Sequence, residues 1–560
     1  MTDFDETFDW VVVGSGAGSM SSALVMREAG KSVVILEKTQ YVGGTTAKSG
    51  GVMWIPNNRF IKAAEPDESA EKAIAYLDAV TNDGSDAPGT SHEKRLAYVN
   101  EAPKMLDFII DQGIEMERAA EYWPDYYDEL PGGCKTTRCV TAKYFNLKEL
   151  GAWEKKVRPG FAPFPVKLDD GMKTAFRDKS KALAKVYRDI VIRTIVGKLT
   201  FKNFTSAGAA LQGRMLKASI KAGVDVRTDT PVKQLIVEDG KVTGVIALVG
   251  GQEKRFGARL GVLVNAGGFA QNQAMRDKYM PGTQAAWSNT PEGDTGDMHV
   301  ELERIGGVLA QMDQMVGYQT TRAPKFETDY VKPAGQSLTG RPGAILIDQS
   351  GVRYQNEGGS YELFCQGMLE RNRTVPAVPS WAVFDQRYAL EYDVAGKRVG
   401  KKLPADWVEN GYLKLADTID ALAAQIKVDP GVLRETIDRW NAMVDKGVDE
   451  DFGRGAREYD KWLGDPFVGP NPSLRRIDQA PFYSVEMVPG DVSTYGGVLI
   501  DAEARVLKAD GQPIPGLYAC GVTTASIMGG VYPGAGASVG PSMTFGYIAA
   551  KHAAGVGNTI

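Results

Sequence analysis

The segment that most constrains this chain lies at its start. Trp10-Val11-Val12-Val13 is a short apolar run, followed by Gly14-Ser15-Gly16-Ala17-Gly18-Ser19. A helical pattern then passes through Ala23, Leu24, Met26 and Ala29 and stops at Gly30. Lys31 to Glu37 reads as the next buried parallel strand, so the chain opens on a βαβ unit. Glycines at 14 and 16 let the backbone turn tightly and approach a pyrophosphate, whose charge the following helix N-terminus favours. The third small position is filled by Ser19, with Gly18 just before it. Glu37 falls 21 residues after Gly16, at the end of the second strand, where an acid takes ribose hydroxyls.

FAD and NAD share this fingerprint, and two further segments favour FAD. Val42-Gly43-Gly44-Thr45-Thr46-Ala47-Lys48-Ser49-Gly50-Gly51 follows Glu37 directly and offers backbone donors and hydroxyls along an extended cofactor. Near the end, Tyr518-Ala519-Cys520-Gly521 reads as a strand closing on a glycine. Gly534 to Gly540 then leads into a helix whose N-terminus suits the carbonyl side of a flavin ring. No histidine lies near Thr45–Ser49, so the flavin is expected to be bound non-covalently. Glycine, at 64 of 560 residues, has no collagen period; its excess clusters in these two ends.

The expected fold class is α/β, a Rossmann-like FAD-binding domain with a parallel sheet and an inserted α+β domain. Further strands are expected at Asp225–Arg227, Val232–Glu238, Val242–Val249 and Leu260–Asn265, with a hairpin turn at Glu238-Asp239-Gly240-Lys241. The boundaries predicted are 1–294 for the first part of the FAD domain, 295–475 for a substrate domain and 476–560 for the return. Hydrophobic residues at 43% and charged residues at 24% describe an ordinary globular chain, and a net charge of −5 argues against a nucleic-acid partner. Cys134, Cys139, Cys365 and Cys520 are too few and scattered for a disulfide framework or a metal site, so a reducing, cytoplasmic compartment is expected. The acidic start, Asp3 to Glu6, is unlike a signal peptide, and no apolar stretch is long enough to span a bilayer.

Several segments carry a resemblance: Gly43-Gly44-Thr45, Trp54-Ile55-Pro56-Asn57-Asn58, Pro124-Asp125-Tyr126-Tyr127, Ala266-Gly267-Gly268-Phe269, Thr295-Gly296-Asp297 and Asn356-Glu357. The most specific is Tyr532-Pro533-Gly534-Ala535-Gly536 with Gly540-Pro541-Ser542-Met543-Thr544-Phe545-Gly546-Tyr547. The chain resembles the flavoprotein family of fumarate reductases and 3-ketosteroid dehydrogenases, and within it the 3-ketosteroid Δ1-dehydrogenases. Fumarate reductases surround a dicarboxylate with His and Arg, whereas this chain has only His92, His299 and His552, all read as structural or solvated. The fingerprint and the resemblance together give the candidate cofactor contacts Gly14, Gly16, Ala17, Gly18, Glu37, Lys38, Gly43, Gly44, Thr45, Thr46, Ser49, Gly50, Gly51, Val232, Ala266, Gly267, Gly268, Gly521, Ser538 and Val539.

The resemblance implies removal of hydrogens from C1 and C2 beside a C3 ketone, with a quinone-type electron acceptor. Such chemistry needs a donor for enolate charge, a base for the C2 proton and a flavin to take the C1 hydride. By resemblance, the Tyr532 hydroxyl and Gly536 N–H hold the C3 oxygen, Tyr361 is the base and Tyr126 supports it, with Tyr127 the alternative to Tyr126. The runner-up is 5α-dehydrogenation or reduction of a 4-ene-3-ketosteroid, which uses the same flavin and similar tyrosines. Finally, residues 173–202 carry nine Lys/Arg and two acids, a +7 segment set in a −12 remainder. With Leu183, Val186, Tyr187, Ile190 and Ile195 near helical spacing, about 150–205 reads as a region docking peripherally on the inner face of the cell membrane.

Overall fold

In the computed structural model, residues 3–81, 87–119, 123–326, 328 and 330–557 are described. The opening βαβ unit forms as its residues dictate: β1 (Glu6–Val13), α1 (Ala17–Glu28) and β2 (Val33–Leu36). β1 and β2 run parallel, Val11 beside Val34, and their apolar runs are buried on both faces. Gly14 has φ +90, and a Cβ there would lie 2.3 Å from the Asn265 carbonyl oxygen, so only glycine lets the chain leave β1 in this direction.

A long excursion that includes α2 (Lys181–Leu199) precedes β3 (Asp225–Arg227), β4 (Val232–Glu238), β5 (Lys241–Val249) and β6 (Gln252–Val264). β3 extends the parallel sheet beyond β2, and β6 extends it beyond β1. β4 and β5 form an antiparallel hairpin whose turn residues Asp239 and Gly240 both have positive φ, as a twist-matched two-residue turn requires.

The middle of the chain builds a second sheet from β7 (Met315–Thr321), β8 (Ala344–Ile347), β9 (Ser380–Asp385), β10 (Lys414–Ala416) and β11 (Phe482–Thr494), all antiparallel. Between these strands lie α3 (Tyr361–Arg371) and the short α4 (Glu458–Leu463). β11 is the central strand, pairing with β7, β9 and β10, and it comes from the stretch grouped in the sequence with the closing segment. The return to the first sheet is made by β12 (Arg505–Leu507) and β13 (Pro513–Ala519), giving the order β12-β13-β6-β1-β2-β3 with β5 and β4 off its edge.

The last helix, α5 (Val539–Ala554), crosses α1 closely. A Cβ on Gly18 would lie 2.3 Å from the Ser542 carbonyl oxygen, and one on Gly546 would lie 2.2 Å from that of Gly18. The small residues of both motifs therefore bring the two ends of the chain together, with α1 buried from Ala17 to Met26.

Candidate active site

The two sheets meet over a cavity of about 1300 Å³, larger than the 300–1,000 Å³ typical of a one-ligand pocket. Its walls include Gly14, Gly16, Ala17, Glu37, Lys38, Gly44, Thr45, Thr46, Ser49, Gly50, Gly51, Val232, Ala266, Gly267, Gly268, Ser538 and Val539 at one end, and Tyr126, Tyr361, Tyr532 and Gly536 further in. Three candidate contacts stand behind the wall. Gly18 packs on α5, Gly43 lies against Gln212, and Gly521 lies against Asn265 and Ser542.

The dinucleotide end is preorganised. Glu37 accepts from Ser15 Oγ through Oε2 and from Thr39 N and Oγ1 through Oε1, which fixes the carboxylate. Lys38 Nζ is held at 2.8 Å from both Thr295 Oγ1 and Asp297 Oδ2. Asp294 accepts from Gly268 N through Oδ1, while its buried Oδ2 has no partner among the described residues; burial pushes its carboxyl up to about 6. Arg158 lines the cavity nine-tenths buried, donates to Thr39 Oγ1 and leaves Nε without a partner among the described residues. α1 starts at Gly16 with no side-chain cap. An uncapped helix N-terminus, an orphaned guanidinium edge and a fixed acid fit the pyrophosphate and ribose of FAD. Ser15, Arg158 and Asp294 were not singled out in the sequence. Ser15 sits inside the fingerprint and was legible as a hydroxyl beside Glu37; Arg158 carried no local signal.

The inner end is built of phenols. Tyr361, the first residue of α3, has its ring centroid 5.4 Å from Tyr126, 5.6 Å from Tyr532 and 5.5 Å from Tyr318. Tyr126 also packs with a tilted ring at 4.2 Å from Tyr459 of α4. The Tyr126 loop is tied to the Tyr532 turn by Tyr126 N donating to Pro533 O at 3.0 Å, and Tyr76 Oη donates to the same carbonyl at 2.6 Å. Beneath it, Asp125 accepts from Trp54 Nε1 and pairs with Arg138 at 2.6 Å, while Arg138 also grips Glu68. Tyr532 Oη lies 3.0 Å from Ser538 Oγ. Gly536 N–H makes no hydrogen bond to the described residues. Tyr127 points elsewhere, donating to Glu362 Oε2 at 3.2 Å. Tyr318 and Tyr459 joined the cluster only through the tertiary fold.

Burial raises the Tyr361 phenol well above its ordinary value; the Tyr532 phenol adds to this, and a hydrogen bond from Tyr126 opposes it. Burial raises Tyr126 and Tyr532 as well, and pushes Tyr318 up to about 12. His299, buried and bonded to the Gly496 carbonyl, is pushed down to about 4 and stays neutral. Behind the phenols, burial raises Glu362 to about 8, against hydrogen bonds from Tyr127 and the Tyr532 backbone.

Glu362 is therefore protonated in the folded protein at neutral pH and ionised in the unfolded chain. Its penalty is absent below its ordinary value of 4.5 and grows as pH rises towards 8. Glu362→Gln is expected to flatten that slope, gaining on the parent by an amount on the order of 4 kcal/mol near pH 8. Thermal midpoints of both proteins across this range check it, and parallel curves contradict it.

These features define an FAD-dependent oxidoreductase, and comparison with known proteins agrees. The FAD binding domain family model matches residues 9–539. The chain is 35% identical to 3-oxosteroid 1-dehydrogenase of Mycobacterium tuberculosis, over 98% of each chain. It is 34% identical to 4-oxocyclohexanecarboxylate 2-dehydrogenase of Sinomonas cyclohexanicum, over 98% of this chain and 93% of that one. Its structure superposes with TM-score 0.90 and 32% identity on 3-ketosteroid Δ1-dehydrogenase from Sterolibacterium denitrificans, solved in complex with 1,4-androstadiene-3,17-dione, over 98% of this chain and 100% of that one. The chain belongs to the 3-oxosteroid 1-dehydrogenase family of FAD flavoproteins.

Proposed function

We propose that this protein desaturates the C1–C2 bond of 3-ketosteroids. The observation that carries the reading is the arrangement of Tyr361, Tyr126 and Tyr532 around one cavity end, with the Gly536 N–H, unpaired among the described residues, in the same wall. Tyr532 and Gly536 N–H take the C3 oxygen and stabilise the enolate charge that develops when the C2 proton leaves. Tyr361 removes that proton. Its anion is favoured by the Tyr126 hydrogen bond and by its place at the N-terminus of α3, an 11-residue helix. Bound at the dinucleotide end, FAD would supply the hydride-accepting chemistry that loss of hydrogen from C1 requires. Asp125, Arg138 and Trp54 act at one remove, holding the Tyr126 loop against the Tyr532 turn.

Anaerobic addition of 4-androstene-3,17-dione is expected to bleach the visible flavin band and to yield the 1,4-diene. No bleaching by any 3-ketosteroid overturns the reading, and a product altered at C5 transfers it to 5α chemistry.

The electrons leave to a lipid-soluble quinone-type acceptor, and the protein docks on the membrane surface through the region around α2. Among the described residues no helix is long and apolar enough to cross a membrane. Yet Ile195, Val196, Leu199 and Phe201 are 52%, 51%, 73% and 86% exposed, beside Lys185, Arg188 and Lys198. Exposed apolar residues clustered on a basic helix suit an anionic bilayer. Tyr187, Ile190, Val191 and Ile195 of the same helix line the cavity, so its mouth opens where lipid would lie. Changing both Leu199 and Phe201 to Glu is expected to abolish co-sedimentation with anionic vesicles while turnover of dissolved steroid stays within about twofold. Unchanged co-sedimentation sinks the docking surface.

A further inference from the structure

A charged side chain that loses its water needs a partner. Most buried arginines here have a carboxylate: Arg95 with Asp78, Arg138 with Asp125, Arg276 with Asp491, Arg353 with Asp449, and Arg454 with Glu357. Two do not, among the described residues. Arg158 faces the dinucleotide end, where the cofactor supplies negative charge. Arg341 lies at the other end, 6% exposed and lining the cavity.

Arg341 is fixed at its edge. Nη1 donates to the carbonyls of Leu463 and Gly464 at the C-terminus of α4, and the Phe176 ring packs 4.4 Å from Cζ. Nε and Nη2 have no hydrogen-bond partner among the described residues, and Arg341 lines the cavity. Burial pulls its pKa below the ordinary value, and Tyr388, Tyr392 and Asp465 oppose this. The other carboxylate lining this end, Asp393, is already held by Arg398 at 2.9 Å and Arg177 at 3.7 Å. Asp465 is engaged by Tyr392 and by Lys179 at 3.3 Å. The local surplus is therefore positive.

The position along the cavity fixes what meets this surplus. α4 carries Tyr459, which packs against Tyr126, and four residues later Leu463, whose carbonyl Arg341 caps. Four residues of helix rise about 6 Å, so Arg341 stands beyond the phenols, away from Tyr532 and Gly536. Trp462 and Leu463 give the wall between an apolar face. A ligand matching this order has a ketone at one end, an apolar ring body and an anion at the other.

We propose that Arg341 receives a carboxylate carried at the far end of the substrate's ring system, so that this chain prefers ring ketones with an acidic tail. The proposal rests on the reading of the phenol end as a ring-ketone site. A planar guanidinium takes a carboxylate through two parallel N–H groups, and Nε with Nη2 is the edge left for it.

The test compares a 3-keto-4-ene steroid bearing a side-chain carboxylic acid with its methyl ester, using the FAD-loaded protein. The parent is expected to favour the acid in kcat/KM by about 10–100-fold, the range of a charge-assisted contact. Arg341→Gln is expected to erase that ratio chiefly through KM for the acid, and Arg341→Lys to restore part of it. Damage to folding or to the capping of α4 falls on both substrates alike and cancels in the ratio. Equal turnover of acid and ester by the parent, or a ratio untouched by Arg341→Gln, overturns the proposal alone. Turnover of neither overturns the ring-ketone reading and the proposal with it.

Discussion

Tyr361→Phe is expected to lower turnover by about 10²–10⁴-fold, the span of a lost general base, while the protein stays yellow. The substitution removes one oxygen and leaves the ring that packs against Tyr126, Tyr318 and Tyr532, so the cluster keeps its shape. The flavin end is untouched, since Tyr361 makes none of the contacts around Glu37 or Asp294. The pH profile separates this role from a packing role. Burial holds the Tyr361 phenol above its ordinary range, so only a small fraction is ionised at neutral pH. That fraction grows about tenfold per pH unit until its pKa is reached. The rate of flavin reduction in the parent should therefore climb with pH on the alkaline side, and the Phe variant should lose the climb. A Phe variant within tenfold of the parent, or one that keeps the same slope, removes Tyr361 from the base's role.

The parts of this protein that were legible in its sequence are those written locally. Gly14 to Glu37 encode a strand, a turn, a helix and an acid within one stretch, and the fold places them as that stretch implies. The Tyr532–Gly536 turn was legible through resemblance, because its residues specify a backbone shape. What escaped was assembled across distance. Tyr459 meets Tyr126 through a loop-to-helix contact in which Asp128 accepts from Tyr459 N across 331 positions, a pairing no window reveals. Arg341 is an ordinary cation in the sequence and becomes unusual only when the fold buries it without a carboxylate partner among the described residues. In α2 the charge pattern was plain, but the apolar residues gave no orientation. Ile190 packs inward on Ala162 and Val166, which cover only that part of the helix, leaving Ile195 and Leu199 outside. β11 was grouped with the return to the first sheet, yet its backbone pairs within the second, because an apolar strand does not state which sheet it joins.

Gly536→Ala is expected to be nearly as damaging, and for a reason that lies in the backbone. Gly536 has φ +88, outside the range an alanine adopts without strain, and its ideal Cβ would lie 2.3 Å from the Val52 carbonyl oxygen and 2.5 Å from the Val52 carbonyl carbon. Those atoms belong to the strand Val52–Trp54, whose Trp54 N in turn donates to the Gly536 carbonyl at 3.2 Å. The strand cannot retreat without breaking that bond and disturbing Trp54, which anchors Asp125 under the Tyr126 loop. The chain at 536 must move instead, and the N–H that has no partner among the described residues moves with it. Loss of one donor to a developing oxyanion costs about 10²–10³ in kcat, and on the proposed reading Tyr532 alone is left to hold the ketone oxygen. Because the ketone is a weaker acceptor than the enolate, KM should change far less than kcat. Flavin content and thermal midpoint, read on the same preparation, separate a displaced donor from a collapsed turn. A variant that keeps its flavin and turns over within tenfold of the parent removes Gly536 from the site that stabilises the enolate.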